Sequence, residues 1–487
     1  MNFPEASVAT PATVPRIIAR SEHSVSRSHI SPNALRVLYR LRDAGFTGFL
    51  VGGCVRDLLL GLEPKDFDVA TDALPEQVKR LFRNCRLVGR RFRLAHVFFG
   101  REIIEVATFR ATSAPAQGDE PLPAADPEDG EAAELDEPVP EASDEPTGAE
   151  PHEDATVRMF DASGRILRDN VYGTIDEDVW RRDFTANALY YNIADFSIWD
   201  YVNGVRDIEA RTLRLIGDPE TRFREDPVRM LRAARFEAKL GFQIDPATAA
   251  PLAQLRELLA GVPAARLFDE TLKLFLTGHG ARSFEVLRQR GLLAALLPTV
   301  DAYFGSHAGN LVEQLLVQGL KNTDARVLAD KPVTPTFLFA LLLYGPIAGI
   351  IEATPPQRWH ELATILEACD RATREAQTRI AIPKRFALGV REMFALQPRL
   401  EHPRGRRALR VLEHPRFRAA YDLLLLRAQF GLAPPEMAAW WTRLQEVSAE
   451  ERGRMADALS GEARPPAGGG ARRRGRRRRR RPSTTSG

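Results

Sequence analysis

The chain has 487 residues, 44% of them hydrophobic, which is too long for one core and ordinary for a soluble globular protein. Its three cysteines, Cys54, Cys85 and Cys369, stand far apart and odd in number, which excludes a disulfide frame or a cysteine zinc site and suits a reducing cytoplasm. The net charge of +3 hides a segregation, since residues 111–156 hold fifteen acids and no Lys or Arg, while residues 472–487 hold nine Arg and no acid. The rest of the chain is basic, and a polyanionic partner such as nucleic acid is expected.

Residues 1–30 are polar and rich in Ser, Pro and Ala, and are expected to form a disordered arm with no secretory leader. SPNALRVLYRLRDAG from Ser31 predicts a short helix, followed in GFLVGGCVRDLLLG by an apolar strand, a glycine pair and a second helix. EPKDFDVATDA comes next, with a further helix starting near Pro75. AHVFFGREIIEVATFR predicts a β-hairpin turning at Gly100-Arg101. Residues 111–156 offer almost no large apolar side chain, so a disordered acidic insertion interrupts an α+β domain, a mixed sheet with helices, over 31–204. Beyond Ala210 only helical spacing recurs, predicting an all-α neck (205–262) and body (263–455). Within it, FLFALLLYGPIAGII from Phe337 is 15 residues long and broken at Gly345-Pro346. That is short for a membrane span, so a buried helix ending in a turn is expected and no membrane insertion. Residues 456–487 form a low-complexity, Arg-rich, disordered tail.

Chemistry concentrates in a few stretches. If KDFDVAT is a strand, Asp66 and Asp68 share a face while Phe67 points into the core, and the repulsion of paired carboxylates is relieved by a divalent cation. An acidic turn ahead of a helix is the other reading. Gly52 and Gly53, between strand and helix, let the backbone approach a phosphate, with Arg56 one turn further on; a tight structural turn explains them equally. Glu105 lies between Ile104 and Val106 and either serves a site or faces solvent. RRDFTANALYYN places Arg181, Arg182 and Asp183 just before an expected helix, with Thr185 and Asn187 inside it. REDPVRMLRAARF puts Glu225 and Asp226 ahead of Pro227, with Arg229, Arg232 and Arg235 spaced by three. That stripe is either a solvated face or, with Asp226 and Arg229 as a planar fork, a reader of base edges.

Taken in order, LVGGCVRDLLLG, KDFDVAT, EVATFR, RRDFTANALYY, DYVNGVRDIEARTLRLIG and EDPVRMLRAARFEAKLGF resemble the class II polymerase-beta-like nucleotidyltransferases, the family of bacterial poly(A) polymerases and CCA-adding tRNA nucleotidyltransferases. LVGRRFRLAHV, VPAARLFDETLKLFL, EHPRFRAAYDLLLLRAQ and the basic tail are similar to the poly(A) polymerase branch. The acidic insertion departs from the family by its length and charge.

The resemblance implies that Asp66, Asp68 and Glu105 bind two magnesium ions, and that Gly52, Gly53 and Arg56 meet the triphosphate of ATP. It further implies that Arg182 and Asp183 lie in the motif that contacts the ribose, that Asp226 and Arg229 meet the incoming base, and that Asn187, Arg232 and Arg235 belong to the nucleotide-binding set. Asp200, Gly204 and Asp207 fall in the hinge between head and neck; the neck (205–262) is expected to bind the base and RNA, and the body (263–455) with the tail to hold RNA mainly through its phosphates. The implied reaction is template-independent addition of AMP to RNA 3′ ends in the cytoplasm, promoting RNA decay, with RNA-decay proteins as partners. A CCA-adding enzyme is the alternative within the family, and a non-catalytic RNA-binding scaffold the alternative outside it.

Overall fold

The computed structural model describes residues 14–89, 93–111, 171–307 and 309–459, together with short strands at 159–160 and 166–168. Most of the acidic insertion and the Arg-rich tail lie outside the described residues. The chain divides into two compact units. The first is Met1–Ala302 with Lys321–Pro332 and Ala376–Ala381; the second is Tyr303–Leu320 with Val333–Glu375 and Ile382–Gly487. The 31–204 and 205–262 segments fall together in the first unit, with the start of 263–455.

The first unit opens with strand β1 (Arg16–Ile18), helix α1 (Pro32–Asp43), β2 (Gly48–Val51), α2 (Gly53–Leu59), β3 (Asp68–Thr71) and α3 (Pro75–Leu81). Strands β4 (Cys85–Val88), β5 (Leu94–Phe99) and β6 (Glu102–Thr108) follow, then the pair β7 (Met159–Phe160) and β8 (Ile166–Arg168). Next come α4 (Ile175–Arg181), β9 (Leu189–Asn192), β10 (Ile198–Asp200), α5 (Gly204–Glu209) and β11 (Thr212–Leu213). Helices α6 (Pro219–Glu225) and α7 (Val228–Leu240) and strand β12 (Gln243–Ile244) lead into further helices.

Helix α1 forms where expected. Ser31 caps the N–H groups of Asn33 and Ala34, Pro32 occupies the first turn, and Ala34, Val37, Leu38 and Leu41 make one buried face. The sheet has eight strands in the order β1-β10-β9-β2-β3-β6-β5-β4. Every neighbouring pair is antiparallel except β3 and β6, which run parallel. That register sets Val51 opposite Asp68 and Asp68 opposite Glu105. Phe49, Val51, Ala70, Phe109, Val179 and Tyr190 pack into one core cluster on the sheet.

Four expectations change. Residues 16–18 are not part of a loose arm, because β1 pairs with β10 and buries Ile18 at the sheet edge. The helix expected after Asp183 is a single 3-10 turn, Thr185–Asn187, because Leu189–Asn192 is recruited as an internal strand with Tyr190 and Tyr191 fully buried. The region beyond Ala210 is not wholly helical, since β11 and β12 pair in parallel. Finally, Gly345-Pro346 does not end a helix. Pro335–Leu342 is followed at once by Tyr344–Glu352, bent by 43°, with the proline tolerated in the second helix's first turn. Among the described residues no single helix is long and apolar enough to cross a membrane.

The second unit is helical, with Leu396, Leu400, Phe417, Tyr421, Leu424 and Trp441 in a shared core. In the first unit the 200–207 segment is tightly specified. The Asp200 carboxylate accepts the N–H groups of Val202, Gly204 and Val205 at 3.1, 2.8 and 3.0 Å. Thr185 Oγ1 donates to Asp207 at 2.6 Å. A Cβ on Gly204 would stand 2.3 Å from the Thr185 carbonyl oxygen, a contact that forces the backbone to move. Gly204→Ala should therefore cost at least about 1–3 kcal/mol and lower the melting temperature. Gly453→Ala, in open space on a helix, should be neutral or stabilising. Equal melting curves for the two variants would contradict this packing.

Candidate active site

A cavity of about 610 Å³ opens beside β2, β3 and α7. Gly52, Gly53, Arg56, Asp66, Asp68, Arg182, Asp183, Asn187, Asp226, Arg229, Arg232 and Arg235 all line it. Twelve of the thirteen sequence candidates thus converge, from stretches spanning most of the first unit. Glu105 does not line the cavity, yet it stands next to Asp68 across the β3–β6 ladder. The lining holds ten Lys or Arg and six Asp, so its net charge favours an anionic ligand.

The carboxylates arise from the strand ends. Strand β3 begins only at Asp68, so Asp66 lies in the bend before it rather than on the same pleat. Phe67 is buried, as expected, and anchors that bend. On β6, Ile104 and Val106 face the core, and Glu105 faces out with its side chain 49% exposed and Oε1 3.5 Å from His96 Nε2. Burial, with Glu105 and Asp66 nearby and Arg182 opposing them, pushes the Asp68 carboxyl up to about 6. At Gly52 the chain turns with φ +80°, which a side chain disfavours, and Asp68 Oδ2 and Arg182 Nη1 lie about where a Cβ would make contact.

Around this point the other acids are each tied to an arginine. Arg56 is only 2% exposed and donates to Asp57 at 2.8 and 2.6 Å and to Asn187 Oδ1, so it is held as a strut rather than left free for an anion. Asp178 accepts from Arg182 at 2.9 Å and from Tyr190 Oη at 2.8 Å. Asp183 pairs with Arg232 at 2.5 Å. Burial alone would raise its carboxyl, but Arg232 and the N–H groups of Phe184 and Asn187 hold it at about 2. Asp226 is bidentate with Arg266, both contacts 2.7 Å. The expected Asp226–Arg229 fork is therefore not formed. Arg229 instead donates to the Arg222 carbonyl at 2.8 Å and to Glu225 at 3.1 Å. Asp226 precedes α7 in extended backbone and reaches the helix Ala264–Phe275. Arg235 pairs with Glu270 of that helix at 2.6 Å.

Of the six aspartates lining the cavity, Asp57, Asp178, Asp183 and Asp226 have arginine partners, and Asp66 and Asp68 have no ion pair among the described residues. Lys65, beside them, also has no ion pair among the described residues. Asp178, Tyr190, Arg266 and Lys65 were missed by sequence reasoning. Lys65, Tyr190 and Arg266 carried a signal there, lying within the KDFDVAT, RRDFTANALYY and VPAARLFDETLKLFL stretches. Among the described residues no three His, Cys, Asp or Glu side chains converge tightly enough to enclose a metal ion. Two adjacent unpaired carboxylates nevertheless suit magnesium, which takes one or two carboxylates and completes its shell with substrate phosphates and water.

The raised Asp68 carboxyl has a consequence for stability. The folded state binds this proton more tightly than the unfolded chain, so its contribution falls as pH rises from about 4 through about 6. In chelator at pH 7, Asp68→Asn should be more stable than the unmodified chain by roughly 1–3 kcal/mol, and the difference should vanish near pH 4. A variant less stable at pH 7 would contradict this.

Three family models match the chain. The Poly A polymerase head domain covers residues 48–214, the probable RNA and SrmB-binding site of polymerase A covers 241–304, and the polymerase A arginine-rich C-terminus covers 357–482. The chain is 44% identical to Poly(A) polymerase I of Salmonella typhi over 466 residues, 95% of this chain and 92% of that one. It is 41% identical to Poly(A) polymerase I of Haemophilus influenzae, over 90% of each chain. A Thermotoga maritima CCA-adding enzyme solved with tRNA shares the fold at a TM-score of 0.53 and 19% identity, over 92% of this chain and 96% of that one. Identity at this level across nearly the whole of both chains places this chain in the poly(A) polymerase I family, the polynucleotide adenylyltransferases that extend RNA without a template.

Proposed function

We propose that this chain adds AMP from ATP to RNA 3′ ends at the cavity described above, acting in the cytoplasm alongside RNA-decay proteins, with two magnesium ions held by Asp66, Asp68 and the adjacent Glu105. The observation that carries the reading is that, among the described residues, Asp66 and Asp68 stand without an ion pair in a cavity whose other aspartates are all paired. The metal, when bound, lowers the pKa of the primer 3′-hydroxyl and offsets charge on the departing pyrophosphate.

The protein's own groups bind and orient. Gly52 and Gly53 leave the backbone open beside Asp68, and Lys65 is a cation available to the triphosphate. Arg182, locked by Asp178 and Tyr190, presents its Nη1 toward Gly52 on the ribose side. Asp183, fixed by Arg232 and Asn187, shapes the same wall. Arg229 is buried at the cavity edge, and Asp226 is held by Arg266, so both meet the base as preorganised groups. Arg56 positions Asn187 from beneath.

Primer extension with one generic RNA and each NTP in turn tests the reading. Long ladders with ATP alone are expected, and Asp68→Ala should reduce the rate by about a thousandfold or more, removing the main electrostatic stabilisation of the reaction. Lys65→Ala should chiefly raise KM for ATP. One to three additions that need CTP and tRNA would move the chain to CCA addition, and tight RNA binding without extension would return it to a scaffold.

A further inference from the structure

The helical second unit contains a groove of about 630 Å³ that the catalytic reading leaves unused. Between Arg399 and Arg427 the chain has eight arginines. Arg406, Arg416, Arg418 and Arg427 are paired with Asp457, Glu392, Asp422 and Glu401. The other four, Arg399, Arg404, Arg407 and Arg410, have no ion pair among the described residues, are exposed, and all line this groove. Its lining contains no acid. Three histidines, His360, His402 and His414, add ring nitrogens to the same walls. His414 accepts the Arg416 N–H at Nδ1, which leaves the ring proton on Nε2.

Leaving four guanidiniums unpaired on one wall while neighbouring arginines find acids is electrostatically unfavourable unless an anion is brought to them. The groove also continues into an apolar cavity of about 370 Å³, with His360, Pro398 and His402 lining both. Tyr344, Phe394 and Trp359 wall that second cavity, and Trp359 is 37% exposed with Nε1 tied to the Thr354 carbonyl. Guanidiniums that track phosphates beside aromatic rings that accept base faces are the two components of a single-strand nucleic-acid site.

The geometry points to a second RNA-binding subsite here. Arg399, Arg404, Arg407 and Arg410 hold backbone phosphates of the single-stranded substrate, and Trp359 offers a base-stacking surface beside them. This rests on the reading of the chain as an enzyme acting on RNA, and it lies outside the 241–304 segment matched to RNA binding. Because the contacts are to phosphate, the subsite adds affinity without sequence choice.

The test is anisotropy with fluorescein-labelled oligo(A) of about twenty nucleotides across a salt series, using the full chain. Replacing Arg404, Arg407 and Arg410 together by Ala should weaken binding at least about tenfold and flatten the salt slope by about 2, near 0.7 for each lost phosphate contact. KM for RNA should rise with kcat and KM for ATP unchanged. Replacing the paired Arg406, Arg416 and Arg418 by Ala removes the same charge and should change affinity by less than about twofold. Arg404→Lys, Arg407→Lys and Arg410→Lys together should instead retain most of the slope. Should the triple variant misfold, Arg407→Gln alone should still lower the slope by about 0.7. An unchanged slope, or equal losses from the groove and control triples, would overturn the subsite, as would loss of polyglutamate binding with RNA binding intact. If the unmodified chain extends no RNA with ATP while the groove variants still lose affinity, the enzymatic reading fails and the subsite stands.

Discussion

Three carboxylates crowd the point where β3 begins, and among the described residues two of them, Asp66 and Asp68, form no ion pair. Asp68 is in register with Glu105 on the parallel neighbour β6 and two residues from Asp66. Burial first, and then the like charges of Glu105 and Asp66, disfavour its ionised form, which is why the Asp68 carboxyl sits at about 6 rather than near its ordinary value. A fold concerned only with stability would place an arginine there, as this one does for Asp57, Asp178, Asp183 and Asp226. The local repulsion is the cost of leaving two oxygen donors free of an arginine, as the proposed cation site requires.

The rest of the cavity is arranged to hold that arrangement still. Arg182 moderates the Asp68 charge from one side and is itself fixed by Asp178 and the buried Tyr190. Helix α7 contributes a stripe of Arg229, Arg232 and Arg235, each with an acid partner, so the wall is cationic and rigid together. Phe236 is faced by the guanidiniums of Arg56, Arg232 and Arg235 at 5.4, 5.5 and 4.6 Å, which packs the positive wall against an aromatic ring. Preorganised charge of this kind suits an anionic ligand, which it meets without rearrangement.

Much of this is readable from local pattern. The Asp-x-Asp spacing, the glycine pair after an apolar strand and the three-residue arginine spacing each point to residues that line the cavity, whereas the lone acid between Ile104 and Val106 stands beside Asp68 in register without lining it. Patterns within one element fail where partners come from afar. Arg266 takes Asp226 from forty residues downstream, which displaces the local fork with Arg229. Asp178 and Tyr190 are found only once α4 and β9 are packed together. The early strand β1 exists because β10 offers an open edge, and the turn at Thr185 stays short because the sheet claims the residues after it. In each case a long-range contact outweighs a weak local preference.

The central claim is that Asp66 and Asp68 are kept unpaired in order to bind cations with the nucleotide. Titrating the ATP-bound chain with manganese(II), followed by electron paramagnetic resonance, measures this directly and does not depend on turnover. The account predicts two ions taken up per chain, with at least one lost in Asp68→Asn while ATP remains bound. Equal manganese uptake by the variant and the unmodified chain would contradict it.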